Sequence, residues 1–129
     1  MVIDSSALIA ILSGEPEARV FRTLIRTAAN RLLGAPSRVE AGIVALARRG
    51  EPGLEQMQAL IDRLELEVIV LSDEQAKLAI EAFRRFGKGR YPAGLNFGDC
   101  LSYALAKATG EPLLFKGDDF SQTDIKRAL

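Results

Sequence analysis

Four short apolar runs, each set between stretches of helical spacing, constrain this chain more than any other feature. They are Met1-Val2-Ile3, Arg31-Leu32-Leu33-Gly34, residues 66–71 and residues 112–115. Runs of this length bounded by turn-forming residues make short buried strands. Between them, apolar residues recur three and four apart, the period of a helix buried on one face. The dense run from Ala7 is one such helix, and Val20, Phe21, Leu24, Ile25 and Ala28 mark the next. Val39, Ile43, Leu46 and Ala47 form a third stripe. Leu54, Met57, Leu60, Ile61 and Leu64 form a fourth, after the break at Gly50-Glu51-Pro52-Gly53. A helix opened by Ser72-Asp73-Glu74 runs to about residue 86, and another runs from Asn96 to the Gly110 stop. Strands alternating with helices imply βαβ crossovers. The expected fold is therefore α/β, three layers α/β/α around a mostly parallel sheet. At 129 residues and 48% hydrophobic content, residues 1–129 suit a single domain with one real core.

Asp4 is the only charged residue in the first apolar run and falls at a strand-to-helix turn. Turns at the carboxyl ends of parallel strands are where ligands bind. Helix capping by Asp4, Ser5 or Ser6 is the better account of an isolated acid there, so other residues must decide. Three further acidic positions occupy similar places: Glu40 in the helix after the second strand, Asp99 in the first turn after the Gly-rich loop, and Asp118 or Asp119 beyond the last strand. Singly, each has a structural explanation. Ser37-x-x-Glu40 reads as a capping box, Asn96-x-x-Asp99 as its relative, and Gly117-Asp118-Asp119 as a turn. On a helical wheel Glu40 flanks the stripe of Val39, Ile43 and Ala47 and is expected to point toward the domain, whereas Asp99 lies opposite Leu101 and Ala108, as a solvated residue would.

Collectively the acids say more. The chain has no histidine, which removes the usual general base, the Ser-His-Asp triad and the imidazole zinc site together. Four carboxylates at one sheet edge are costly unless a cation neutralises them, and oxygen-only ligation favours Mg²⁺ or Mn²⁺. Such an ion activates water and screens a phosphodiester.

Asp4 after the first strand, Glu40, Asn96-Phe97-Gly98-Asp99-Cys100, and Leu113-Leu114-Phe115-Lys116-Gly117-Asp118-Asp119-Phe120, in this order and at these separations, resemble a PIN-domain ribonuclease, specifically a VapC-type toxin of bacterial toxin–antitoxin pairs. The resemblance spans essentially the whole chain. It implies a Mg²⁺- or Mn²⁺-dependent endoribonuclease acting on tRNA or rRNA, a homodimer, and inhibition by a VapB-type antitoxin. Carried over residue by residue, it makes Asp4 and Asp99 the firmest metal ligands, and Glu40 a further ligand or water-orienting group. Asp118 stands slightly ahead of Asp119 as the fourth acid, being nearer the strand end. Ser6 and Asn96 are similar to residues that support such sites.

Charge is balanced, 17 basic against 17 acidic residues, so polyanion binding must come from a local patch. Arg84, Arg85, Lys88 and Arg90 supply one just before the Asn96 turn, with Phe86 and Tyr91 available to stack on bases. The lone Cys100 allows no internal disulfide and is expected to be buried and inert. With no basic residue before the first apolar run and no membrane-length apolar stretch, a cytoplasmic protein is expected. Two alternatives remain. A phosphoacceptor domain of receiver type shares the length, the parallel sheet, one acid after strand one and a Lys after the last strand, here Lys116. It lacks the second acid after strand one, and Val70-Leu71-Ser72-Asp73 makes a poor phosphoacceptor turn. An inactive PIN scaffold used only for binding would lack one of the acids, and none is missing.

Overall fold

The computed structural model describes residues 1–89 and 91–129. Four strands, β1 (Val2–Ile3), β2 (Leu32–Gly34), β3 (Glu67–Ile69) and β4 (Leu113–Leu114), form one parallel sheet in the order β3-β2-β1-β4. The helices are α1 (Ser5–Leu12), α2 (Ala18–Thr27), α3 (Ala35–Arg63), α4 (Asp73–Phe86) and α5 (Phe97–Thr109). The α/β expectation holds in both class and strand direction. No helix among the described residues is long and apolar enough to cross a membrane.

Successive strand residues face opposite layers, as the period of two requires. Ile3, Leu33 and Leu114 join the core beneath α1, α2 and α3, which contains Phe21, Ile25, Met57 and Ile61. Val2, Leu32 and Leu113 join the second core beneath α4 and α5, with Tyr103, Leu105 and Phe120. The two middle layers of apolar side chains therefore belong to a sheet covered on both faces.

The break expected at Gly50 is present: α3 is two helical segments that meet in a kink there, where Gly50 (φ 68°) holds a conformation that favours glycine. Two details differ from the sequence reading. The third strand ends at Ile69, leaving Val70 and Leu71 exposed beyond it. More consequential, Val39 and Ile43 are 60% and 61% exposed, and Leu46 is exposed with them. The buried face of this segment is instead Ser37, Ala41 and Ala45, spaced by four. Small residues there let α1 lie close against α3, and the larger side chains are turned outward.

Candidate active site

Asp4 lies where β1 stops. Its N–H donates to Leu114 O at 2.9 Å, the last rung toward β4, and the residue then serves as N-cap of α1. The cap accounts for one carboxylate oxygen only: Oδ2 accepts the Ser6 N–H at 3.0 Å, while Oδ1 accepts the Ser102 hydroxyl from α5. Only 4% of Asp4 is exposed. Ser6 contributes twice, because its hydroxyl accepts the Lys116 N–H at 3.0 Å and ties the exit of β4 to α1.

Asp99 also combines a cap with burial. Its Oδ2 accepts the Asn96 N–H at 3.0 Å and its own N–H donates to Asn96 Oδ1 at 2.9 Å, a complete capping box that gives Asn96 its supporting role. The helical wheel made Asp99 a solvated residue, yet it is 8% exposed. The reason is that α5 is covered on most sides, by the sheet, α3 and α4, so it has little polar face to offer. Burial above all pushes the Asp99 carboxyl up to about 7, against the Asn96 N–H, which pulls it down; the charges of Asp119, Asp4 and Glu40 raise it further.

Those three charges also identify the neighbours of Asp99. Glu40 stands on the exposed rim, and its Oε1 accepts the Ser5 hydroxyl at 2.6 Å. Ser37 does not cap α3, whose N-cap is Gly34 without a side-chain bond, so the capping-box explanation of Glu40 fails. Gly98 lets Glu40 approach α5: a Cβ at Gly98 would lie 3.0 Å from Glu40 Oε2 and 3.1 Å from Oε1. Of the adjacent pair after β4, Asp119 is among the charges that raise the Asp99 carboxyl. Asp118, favoured in the sequence for its nearness to the strand, is exposed and uses its carbonyl to accept the N–H and hydroxyl of Ser121.

The donor set is all carboxylate oxygen, which suits Mg²⁺ or Mn²⁺ rather than zinc. Among the described residues none of Asp4, Glu40, Asp99, Asp118 and Asp119 has an ion-pair partner. The nearest basic candidate, Lys116, pairs with Glu15 and Glu17 instead. No three acids among the described residues converge tightly enough to enclose an ion as they lie. Mg²⁺ typically binds through one or two carboxylates and keeps several waters, so it does not require three converging acids. Beside Glu40 opens a cleft of about 560 Å³ lined by Val39, Ile43, Asn96, Phe97 and Leu101.

The sequence reading missed Ser5, Ser37, Gly98 and Ser102. Serines carry no signal of their own, and only the neighbourhood of Ser5 to Asp4 and of Gly98 and Ser102 to Asp99 could have drawn attention to them. The basic loop is partly committed elsewhere. Arg84 pairs with Glu81, and Arg85 reaches Asp124 at 3.4 Å while its guanidinium lies 4.7 Å from the Phe86 ring centre. Lys88 is exposed, and Arg90 lies outside the described residues. Cys100 is buried, and desolvation raises its thiol to about 11, the Asp99 charge adding to it, so it is inert as expected.

Comparison with known proteins bears on the chain as a whole. The PIN domain family model matches residues 1–126. Ribonuclease VapC30 of Mycobacterium tuberculosis is 47% identical over 125 residues, covering 97% of this chain and 95% of that protein. Ribonuclease VapC of Mycolicibacterium smegmatis is 46% identical over 125 residues, covering 97% of each. Among solved structures, Mycobacterium tuberculosis VapC20, a sarcin–ricin loop cleaving toxin, superposes with a TM-score of 0.76 at 17% identity, covering 96% of this chain and 95% of that one. A toxin–antitoxin complex from Klebsiella pneumoniae gives 0.70 at 18% identity, covering 95% and 92%. A receiver-type phosphoacceptor is thereby set aside. With a parallel sheet that brings acids from three other segments to bear on Asp99, and with full-length relatives of this similarity, the chain belongs to the PIN-domain family, among its VapC ribonucleases.

Proposed function

We propose that this chain is the endoribonuclease toxin of a toxin–antitoxin pair, hydrolysing RNA phosphodiester bonds at the Asp4, Glu40, Asp99 and Asp119 edge with Mg²⁺ or Mn²⁺ bound. One observation carries the reading: the Asp99 carboxyl, buried and without a cationic partner, is raised to about 7 in the field of three other acids. A divalent cation held by Asp4 and Asp99 would neutralise that field and polarise the scissile phosphodiester. The protein's own side chains divide the remaining work. Asp4 and Asp99 are fixed by hydrogen bonds and burial, as ligands must be. Glu40 is exposed, and among the described residues only its Oε1 takes a donor, from Ser5. Its Oε2 would accept the proton of the water that attacks phosphorus. Asp119, exposed beyond β4, would complete the ligand set through water.

The partner we infer is a VapB-type antitoxin, and the RNA a structured one, tRNA or rRNA; a structural neighbour is a sarcin–ricin loop cleaving toxin and another is a toxin–antitoxin complex. The outward apolar face of Val39, Ile43 and Phe97, the last 82% exposed, supports pairing of two copies as a homodimer. The cytoplasm, where RNA and a reduced Cys100 both belong, is the compartment we infer.

The test is RNA cleavage by the purified chain with Mg²⁺ or Mn²⁺ and with EDTA. Cleavage should require the ion and fall at least about a hundredfold in Asp4→Asn and Asp99→Asn, with both variants folded. Full activity of Asp99→Asn, or cleavage indifferent to EDTA, would overturn the reading.

A further inference from the structure

Ser102 is 2% exposed and lies one turn beyond Asp99 in α5. Its hydroxyl touches two oxygens: Asp4 Oδ1 at 2.5 Å and the Ser37 hydroxyl at 3.2 Å. A serine has one hydroxyl hydrogen, and an ionised carboxylate only accepts. The Ser102 hydrogen therefore goes to Asp4, and Ser37 must donate to Ser102. The resulting order, Ser37 to Ser102 to Asp4, joins the third residue of α3, one helical turn before Glu40, to the helix that carries Asp99. Three of the four acid-bearing segments, the β1 end, α3 and α5, are thus fastened at one buried point. With Oδ2 held by the Ser6 N–H, neither oxygen of Asp4 can turn without breaking a bond.

We infer that Ser102, backed by Ser37, is a positioning residue for Asp4: it fixes the carboxylate rotamer so that the remaining lone pairs face the acidic edge. This rests on the reading that the edge holds a divalent cation. Ser102 touches no substrate and has no reaction step of its own. Groups that orient a metal ligand in this way typically matter about ten- to hundredfold in metal affinity.

The measurement is Mn²⁺ binding to the full chain by calorimetry, beside thermal melting in EDTA. The unsubstituted chain, Ser102→Ala, Ser102→Thr, Ser37→Ala and Asp4→Asn are compared. Ser102→Ala should weaken Mn²⁺ binding about ten- to hundredfold. Ser102→Thr, which keeps a hydroxyl, should retain affinity, and Ser37→Ala should fall between. Adding Ser37→Ala to Ser102→Ala should cost nothing more, because the two act through one bond. A merely structural serine would lower the melting temperature in EDTA and leave Mn²⁺ affinity unchanged. Affinity in Ser102→Ala within about twofold of the unsubstituted chain overturns the inference, as does an equal loss in Ser102→Thr. If Ser102→Ala does not fold, Ser37→Ala decides by the same criterion. No Mn²⁺ binding by the unsubstituted chain would overturn the reading of the acidic edge itself, and this inference with it.

Discussion

The hydroxyl of Ser5 donates to Glu40 Oε1 at 2.6 Å, bridging the first turn of α1 and the first turns of α3. Glu40 is exposed, and a long side chain on the rim samples many rotamers unless something selects one. Ser5→Ala removes the selector without touching a ligand. Activity should fall by about tenfold, while stability should change by no more than about 1 kcal/mol, since the freed Glu40 oxygen is close to water. Steady-state cleavage rates beside urea denaturation check this, and a matched loss of both would assign Ser5 to the core instead.

Gly98 makes the complementary prediction. Its Cβ position is 3.0 Å from a Glu40 carboxylate oxygen, the far end of a flexible side chain that can move away. Alanine also favours helix over glycine by about 1 kcal/mol. Gly98→Ala should therefore melt at or above the temperature of the unsubstituted chain, yet cleave RNA more slowly because Glu40 is displaced. A variant that is both stable and fully active would show that the position of Glu40 does not matter.

The sheet could be read from the sequence, because strand length, helical period and turn residues are local properties. Val2-Ile3-Asp4 and Leu113-Leu114 announce themselves. What could not be read were the orientations set by tertiary packing. Val39 and Ile43 look like a core stripe, but Ala41 and Ala45 permit the closer contact with α1, and the larger residues face out. Asp99 looks solvated on the wheel, but α5 is enclosed by its neighbours and draws the acid inside with it. Hydroxyl links such as Ser102 to Asp4 join positions 98 residues apart and leave no periodic trace.

Asp118 and Asp119 separate in function if charge at Asp99 is the criterion, since Asp119 is foremost among the carboxylate charges that raise it. Asp119→Asn should lower both cation affinity and cleavage. Asp118→Asn, whose backbone carbonyl carries its hydrogen bonds to Ser121, should leave both within about threefold. Isothermal titration of each variant with Mn²⁺ decides between them, and the opposite ranking would restore Asp118.

Within the basic loop, the ion pairs sort the residues. Arg84 is matched by Glu81 and Arg85 by Asp124, whereas Lys88 makes no ion pair among those of the described residues. Lys88→Ala should weaken RNA binding and lower the slope of log affinity against log salt by about 1, with Mn²⁺ binding intact. Arg84→Ala should change the slope little. Fluorescence anisotropy over a salt series supplies the slopes, and an unchanged slope in Lys88→Ala removes this loop from the RNA interface.

The raised Asp99 carboxyl sets a pH dependence for the metal-free chain. Its ordinary value of 3.8 applies when unfolded and about 7 when folded, burial being the main cause. Between those values the folded chain keeps a proton that the unfolded chain has lost, so stability is greatest at the acid end of the window and declines as pH rises through it. Above the folded value the decline stops, because both states are then ionised. A bound cation favours the ionised carboxylate and opposes the decline, releasing the proton on binding. Denaturation in EDTA should therefore show stability falling across the window, and excess Mg²⁺ should restore most of it at the neutral end and little at the acid end. In Asp99→Asn the cation-free slope should flatten. A slope in EDTA that Asp99→Asn leaves unchanged would mean that another group carries the proton.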